Sequence, residues 1–391
     1  MKKIRLATVF SGIGAIEQAF KRLHINHEIV FACDNGEIVI DYDAEKERKI
    51  VCSLNSIKEK RKYVDRLYAS KVRKTNFVKI SYMANYGHLL KNDNFFQDIR
   101  LLDGTDFKDK VDILVGGSPC QSFSTVGFQG GLEDTRGTLF YDYANLIKDV
   151  NPKVFIYENV RGLTTHDKGK TWAIMKNVFD ELGYKIYEDV LDAKEYGIPQ
   201  TRRRVYVVGI REDIPGYDQL HFPPDKKELE FTMQDFLLSS CEEGGFSYDK
   251  KGNITLSKIP GTYDKKYILS PKLEKYVMKT GTKTFVQKVA IDLPIARTVL
   301  STMGNRHRAG VDNYISTDTG LKDDQTIELY GTNRREYIRM LTEREAHRLM
   351  GFPDDYKIVV SRAQGYKQAG NSIVVDVLME ILKNIIKLNI L

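Results

Sequence analysis

Residues Val111-Asp-Ile-Leu-Val-Gly-Gly-Ser-Pro-Cys120-Gln-Ser-Phe-Ser124 leave little choice of local structure. Val111, Ile113, Leu114 and Val115 form an apolar, β-branched run bounded by Gly116, Gly117 and Pro119, the pattern of a central strand followed by a sharp bend. Pro119 has no amide hydrogen and a fixed φ, so the strand stops there. The thiol of Cys120 then stands at the carboxyl end of a strand, where open α/β sheets keep their ligands. A free cysteine is just as commonly a small buried hydrophobe. Cys120 alone does not decide between a nucleophile and core filling.

Other segments shift the balance. Leu6-Ala-Thr-Val-Phe10 reads as a strand, Ser11-Gly12-Ile-Gly14 as a tight turn, and Ile16, Phe20 and Leu23 as one face of a helix. Ile29-Val-Phe-Ala-Cys-Asp34 follows as a second strand ending in an acid about 20 residues past the glycines, the place of a ribose-binding carboxylate. The third glycine of the dinucleotide fingerprint is missing, with Glu17 near its place, so a nucleoside without phosphates fits better than a pyrophosphate. Lys153-Val-Phe-Ile-Tyr157-Glu158-Asn159-Val160 is another apolar run ending in a carboxylate, although strand-end Glu and Asn often only solvate a turn. In Gln200-Thr-Arg202-Arg203-Arg204-Val-Tyr206-Val-Val-Gly209, alternation sends Arg202, Arg204 and Tyr206 to one side of a largely internal strand. Arginines held there need anionic or carbonyl partners.

In this order, the segments resemble the DNA (cytosine-5) methyltransferases of bacterial restriction-modification type over nearly the whole chain. Phe10-Ser-Gly-Ile-Gly14 is similar to the family's first motif, and Ser118-Pro-Cys120-Gln121 to its catalytic motif. Glu158-Asn159-Val160 matches the Glu-Asn-Val triplet, and Gln200, Arg202 and Arg204 the Gln-x-Arg-x-Arg pattern. Leu341-Thr-Glu-Arg344 through Gly351-Phe352-Pro353 resembles the penultimate motif, and Gln368-Ala-Gly370-Asn371-Ser372 the last. The resemblance implies an α/β fold: a Rossmann-like, doubly wound S-adenosylmethionine-dependent methyltransferase sheet with a smaller, mostly β target-recognition domain. The expected division is 1–211 for catalysis and cofactor, 212–336 for target recognition, and 337–391 completing the catalytic domain.

The resemblance also implies roles. Cytosine C5 is a poor nucleophile until a group adds to C6, and the thiolate of Cys120 is expected to do so, with help, because a free thiol has a pKa of about 8.5. Glu158 is expected at the cytosine N3 edge, Arg204 at O2, and Arg202 near the nucleophile and a phosphate. The base must leave the duplex stack to be reached, and the segment from Gln121 to Leu139, with Gln121, Ser124, Gln129 and Arg136, is expected to close over it. The cofactor, S-adenosyl-L-methionine, is assigned Phe10, Gly12 and Gly14 on its methionine side and Asp34 on its ribose. Asp98 and Ile99 are assigned to its adenine, with Asp98 accepting from the exocyclic amine, and Asn371 and Ser372 complete the set. Ser372 also reads as the N-cap of a helix carrying Ile373, Val377, Ile381 and Ile385. Ala296-Arg297-Thr298-Val299 resembles the small element found in recognition domains, which makes Arg297 and Thr298 candidates for DNA contact.

Composition agrees. The 391 residues are 42% hydrophobic and 29% charged, ordinary for a globular chain with room for two domains. A net charge of +7 suits a polyanion. Cys33, Cys52, Cys120 and Cys241 form no close pair, which indicates neither a disulfide framework nor a metal site. With no cleavable leader and no membrane-length apolar run, the expected location is cytoplasmic and nucleoid-associated. The expected partners are double-stranded DNA and a cognate restriction endonuclease acting separately, with the enzyme itself a monomer and no membrane contact.

Residues 37–94 exceed an ordinary connection and read as one or two inserted surface helices, with Ile57, Val64, Leu67 and Val72 at helical spacing. Arg61, Lys62, Arg66, Lys71, Arg73 and Lys74 could reach phosphates, but a solvated face is the preferred account. Where the family carries an aromatic or apolar residue after the acid, this chain has Asn35-Gly36. Three other functions compete. Transfer RNA methylation on the same core would call for a Cys-Phe-Thr signature, and here Glu230-Phe231-Thr232 has no cysteine. A catalytically silent DNA-binding regulator would lack the nucleophile or the cofactor motif. A nicotinamide oxidoreductase would have no use for the Pro-Cys and Glu-Asn-Val elements.

Overall fold

The computed structural model describes residues 3–119, 139–238, 245–257, 263–279, 281–282, 285–286, 290–308, 310–317, 327–329, 332–334 and 336–391. By packing these form two compact units, 1–191 with 203–225 and 377–391, and 192–202 with 226–376.

Apolar runs of the first unit form the strands expected of them. β1 (Ile4–Val9), β2 (His27–Cys33), β3 (Phe95–Phe96), β4 (Ile113–Gly116), β5 (Val154–Val160), β6 (Tyr184–Asp192) and β7 (Arg203–Arg211) build a seven-stranded sheet ordered β3-β2-β1-β4-β5-β7-β6. The pairs β1–β2, β1–β4, β2–β3 and β4–β5 are parallel, whereas β5 and β7 run antiparallel, with Val160 opposite Arg204. Parallel strands bury both faces, which accounts for the continuous apolar runs. The chain order reverses beside β1, so the carboxyl ends of β1, β2 and β4 mark the switch point where such sheets bind ligands.

The helices of this unit are α1 (Ala15–Arg22), α2 (Ala44–Ser53), α3 (Ile57–Lys71), α4 (Phe77–Tyr86), α5 (Leu139–Val150) and α6 (Lys170–Glu181). Phe140, Tyr143, Phe155, Tyr157 and Phe179 are fully buried and pack ring against ring, with Phe155 and Phe179 centroids 4.9 Å apart. Each such side chain contributes about 1.5–3 kcal/mol through burial.

The 37–94 insertion carries three α-helices where one or two were expected. Each begins at a side-chain cap: Asp43 accepts from the amide of Lys46, Ser56 from Glu59 and Asn76 from Lys79. Val72 does not continue α3; it is the extended residue that ends it. Ile38, Ile40, Val51, Val64, Tyr68 and Leu101 form a small core of their own. Buried Lys60 of α3 donates to Asp103 at 2.7 Å and to Asp106 at 2.9 Å.

The second unit is built from two-stranded ladders and short helices. β8 (Phe246–Tyr248) pairs β9 (Ile254–Leu256), β10 (Gly281–Thr282) pairs β11 (Phe285–Val286), β12 (Tyr314–Ser316) pairs β15 (Ile338–Met340), and β13 (Ile327–Leu329) pairs β14 (Thr332–Arg334). Its helices are α7 (Pro271–Val277), α8 (Glu343–Arg348) and α9 (Arg362–Asn371), and α10 (Val375–Lys387) ends the chain.

These packing boundaries differ from the expected 1–211, 212–336 and 337–391. Residues 337–376 pack in the second unit because of buried ion pairs. Arg339 and Arg348, both fully buried, bond the carboxylates of Glu345 and Asp354, which in turn accept from the amides of Leu238 and Phe246. The expectation for Ser372 is also corrected. It ends α9, and α10 begins only at Val375, so Ser372 caps no helix start.

Candidate active site

β1 ends at Val9, and the chain turns through Phe10 at φ 51°, Gly12 at φ 53° and Gly14 at φ 81° before α1. A left-handed conformation is rare for phenylalanine and free for glycine. Asp34, at the end of β2, fixes this turn. Its two carboxylate oxygens accept from the amides of Gly12 at 2.9 Å and Gly36 at 2.8 Å. Ser11 completes the link, its hydroxyl taking the amide of Cys33 at 3.1 Å. Burial pushes the Asp34 carboxyl up, and the two amide bonds pull it back.

Asp98 caps the short turn Ile99–Leu101. One oxygen accepts from the backbone amide and Nε of Arg100, and the other from the Arg100 guanidinium, Tyr42 at 2.5 Å and Tyr68 at 2.8 Å. A carboxylate offers about four acceptor positions, so these five donors use up Asp98. The expected acceptance from an adenine amine does not match this geometry, in which Asp98 is an anchor.

The catalytic motif approaches β5 closely. A side-chain carbon on Gly117 would lie 2.5 Å from the backbone oxygen of Glu158 and 3.2 Å from its carboxylate, so only glycine fits. Asn159 donates to the carbonyl of Ser118 at 2.9 Å and to the hydroxyl of Tyr157 at 2.7 Å, and the Ser118 and Tyr157 hydroxyls are 2.8 Å apart. This network ties the segment leading into Cys120 to the end of β5. Glu158 meets Arg204 there, Oε1 to Nε at 3.3 Å, with side chains 14% and 18% exposed, enough for an incoming ligand to reach both. Cys120, Gln121, Ser124, Gln129 and Arg136 lie outside the described residues.

Arg202 takes a different place from the one expected. It is buried, and its guanidinium donates to the carbonyls of Val299, Gly370 and Ser372 at 3.0, 3.0 and 2.7 Å. The carbonyl partners that a buried arginine needs are therefore main-chain groups of the second unit, and the expected role beside nucleophile and phosphate is corrected to bracing. Gln200, also buried, bonds Leu349 and Val299 in the same way. Arg297 donates to the carbonyls of Ala290 and Asp312, and Thr298 to that of Thr201. Asn371 is exposed at the end of α9. Among the described residues no group of acids, cysteines and histidines could hold a metal.

A sheet in this order, a glycine turn braced by an acid, and a Glu–Arg pair beside a Gly-Gly-Ser-Pro turn form the frame into which comparison with known proteins fits. Residues 60–387 match the model of the C-5 cytosine-specific DNA methylases. The chain belongs to that family. It is a DNA (cytosine-5)-methyltransferase, and its methyl donor is S-adenosylmethionine. It is 35% identical over 318 residues to the Type II methyltransferase M.SsoII of Shigella sonnei, covering 79% of this chain and 71% of that one. The Type II methyltransferase M.HpaII of Haemophilus parainfluenzae is 35% identical over 312 residues, 78% and 79% of the two chains. The fold resembles that of the S. pombe Dnmt2 methyltransferase, with a TM-score of 0.61 at 20% identity over 98% of both chains.

The described residues of this methyltransferase fit its donor. Asp34 keeps acceptor capacity beyond its two amide bonds. A side-chain carbon on Gly12 would meet only the carbonyl oxygen of Phe10, at 3.9 Å, so open space lies beside the turn. Sequence reasoning did not single out Tyr42, Tyr68, Asn76, Tyr82 and Tyr86, all from the insertion, which bond these same segments. The local signals were the four-residue spacing of Tyr82 and Tyr86 on one helix face and the cap-forming Asn76 before them.

Proposed function

We propose that this methyltransferase acts on a cytosine extruded from duplex DNA, through a covalent bond between Cys120 and C6. The observation that carries the reading is the Glu158–Arg204 pair at the carboxyl end of β5, beside the turn leading to Cys120. Arg204 binds the O2 side of the base, and Glu158 faces N3 and gives it a proton as the thiolate adds to C6. That addition breaks the ring's aromaticity and leaves electron density on C5. Bound S-adenosylmethionine supplies an electrophilic methyl group on a sulfonium, which C5 accepts. Loss of the C5 proton to a base then restores the C5–C6 double bond and expels the Cys120 thiolate, and the N3 proton returns to Glu158.

Phe10, Gly12, Gly14 and Asp34 hold the methyl donor, with Asp34 taking the ribose hydroxyls through its remaining lone pairs. Arg297 and Thr298, with other residues of 226–336, read or position the duplex. Most of their hydrogen bonds go to phosphate and a few to base edges. The enzyme works as a monomer, and a separate endonuclease cuts the unmodified form of the same site.

The test is methyl transfer from labelled S-adenosylmethionine to unmethylated DNA of many sequence contexts, mapped by bisulfite sequencing, with Cys120→Ser alongside. Methylation at C5 within one short motif, lost in Cys120→Ser, is the expected result. A Cys120→Ser protein that still methylates would rule out the covalent route.

A further inference from the structure

The insertion of residues 37–94 touches the glycine turn and Asp34, to which the reading above assigns the methyl donor, and the Asp98–Ile99 segment that follows the neighbouring strand β3. From α4, Tyr82 donates to Glu17 of α1, and Tyr86 donates to Gln18 at 2.9 Å. The Tyr86 ring also packs on the glycine turn so closely that a side-chain carbon on Gly14 would lie 2.2 Å from it. At the start of α4, Asn76 donates to the backbone carbonyl of Asp34 at 2.8 Å. From the loop before α2 and from α3, Tyr42 and Tyr68 both donate to Asp98. Tyr68, Asn76, Tyr82 and Tyr86 are buried and Tyr42 half-buried.

The basic residues of the same insertion point elsewhere. Lys62, Arg66, Lys71, Arg73 and Lys74 are exposed, and Arg61 is turned onto the carbonyls of Asn92 and Asp93. The buried hydrogen bonds of Tyr68, Asn76, Tyr82 and Tyr86 run to the carboxyl ends of the sheet and to α1 after the glycine turn, whereas buried Lys60 of the same insertion is held by Asp103 and Asp106.

We propose that the insertion is part of the cofactor site, a brace whose Tyr42, Tyr68, Asn76, Tyr82 and Tyr86 are positioning residues for the glycine turn, Asp34 and the Asp98–Ile99 segment. The inference rests on the assignment of those segments to S-adenosylmethionine. Three loops that leave three different strands must keep one spacing to grip a single nucleoside. The sheet ties the bases of these loops together, through the amides of Ser11 and Asp34 on the carbonyls of Cys33 and Phe96, and the insertion holds the parts that extend beyond those bonds. The insertion contacts all three and has its own core, so it holds that spacing before the ligand arrives. Binding then spends less on ordering loops.

The test is calorimetric titration of the full-length protein with S-adenosylhomocysteine in the absence of DNA. The variants are Tyr42→Phe, Tyr68→Phe and Asn76→Ala, the double variant Tyr42→Phe/Tyr68→Phe, and Asp34→Ala. Each single loss within the brace weakens binding about tenfold, as expected for one hydrogen bond to a charged or buried group. The double change weakens it further. For Tyr42→Phe and Tyr68→Phe the melting temperature of the ligand-free protein and its affinity for duplex DNA stay near wild type, which a merely structural defect would not allow; Asn76→Ala also loses the cap of α4 and melts lower. Equal or tighter binding by a folded double variant overturns the proposal, since the tyrosines would then be idle or would compete with the ligand. If the double variant does not fold, Tyr42→Phe, at a half-buried position, decides on the same criterion. Asp34→Ala separates the two levels. If it binds like wild type, the cofactor-site assignment itself is wrong; if it loses binding while the insertion variants keep theirs, only the brace is.

Discussion

Glu17 is the residue whose environment is most at odds with its chemistry. It stands in the first turn of α1 with no exposed surface, accepts from Thr8 at 3.0 Å and from Tyr82, and has one carboxylate oxygen with no partner. Burial raises its pKa from 4.5 to about 7, against the pull of the Tyr82, backbone and Thr8 hydrogen bonds. Between those two values the folded chain holds a proton that the unfolded chain has released. This group therefore costs nothing at low pH, costs progressively more as pH rises through that window, and costs a constant amount above it, at most about 3 kcal/mol. Glu17→Gln keeps the acceptor and removes the charge. It should melt higher than wild type near pH 8, with most of the gap closed near pH 5, by thermal melts at both values. A variant no more stable than wild type near pH 8 would mean that Glu17 is ionised at little cost. His347 has the opposite sign. Buried and neutral, with a pKa lowered to about 4 chiefly by burial, it makes the second unit lose stability as pH falls below its ordinary value toward 4. His347→Gln should flatten the acid limb of the unfolding curve, and an unchanged limb would assign acid lability to other groups.

At the scale of elements, Gly117 and Lys60 give the sharpest tests. Gly117→Ala drives a carbon into the backbone of Glu158, so the turn and β5 must separate. Methyl transfer should fall at least about a hundredfold, as expected of misplacing a catalytic group by about 1 Å, in a protein that is destabilised by about 1–3 kcal/mol but still folded at the assay temperature. Wild-type turnover would show that the turn can shift freely. Lys60→Met leaves buried Asp103 without its cation and should cost on the order of 3 kcal/mol in urea unfolding; a loss within error would mean that water replaces the cation. The same elements show what was legible beforehand. β1, β2, β4, β5 and β7 were readable because buried parallel or central strands are nearly pure apolar runs, and Glu158 and Arg204 followed from their motifs. β6 was missed because an edge strand with exposed Lys185, Glu188 and Asp189 has no clean alternation. α2 and α3 were blurred by lysine and arginine on several faces, although their caps at Asp43 and Ser56, like that of α4 at Asn76, were present in the sequence. The bonds from Tyr42 and Tyr68 to Asp98 span 56 and 30 residues, a range no local pattern encodes. Ser372 was misread because a serine after a small-residue stretch looks the same whether a helix ends or begins there.

For the whole molecule, the question is how a chain of modest charge holds a polyanion and a small zwitterionic donor at once. The net charge is +7, but many arginines are already committed. Arg202, Arg339 and Arg348 are buried on carbonyls or carboxylates, and Arg5 is tied to Asp112 at 2.9 Å. These brace the fold and are not available to phosphate. DNA must then be met by the remaining exposed lysines and arginines, whose interaction with phosphate releases counterions and weakens steeply with salt. The donor site proposed above differs in kind: Asp34 acts over hydrogen-bond distances in a half-buried setting, where screening is slight. Raising salt from about 50 to about 200 mM should therefore weaken binding of a cognate duplex by roughly a hundredfold or more, while calorimetric affinity for S-adenosylhomocysteine hardly moves. Parallel losses of both would mean that the donor site is itself an exposed electrostatic site. A duplex affinity insensitive to salt would place recognition in base contacts made without the phosphates, leaving the positive charge of the chain without a role in binding.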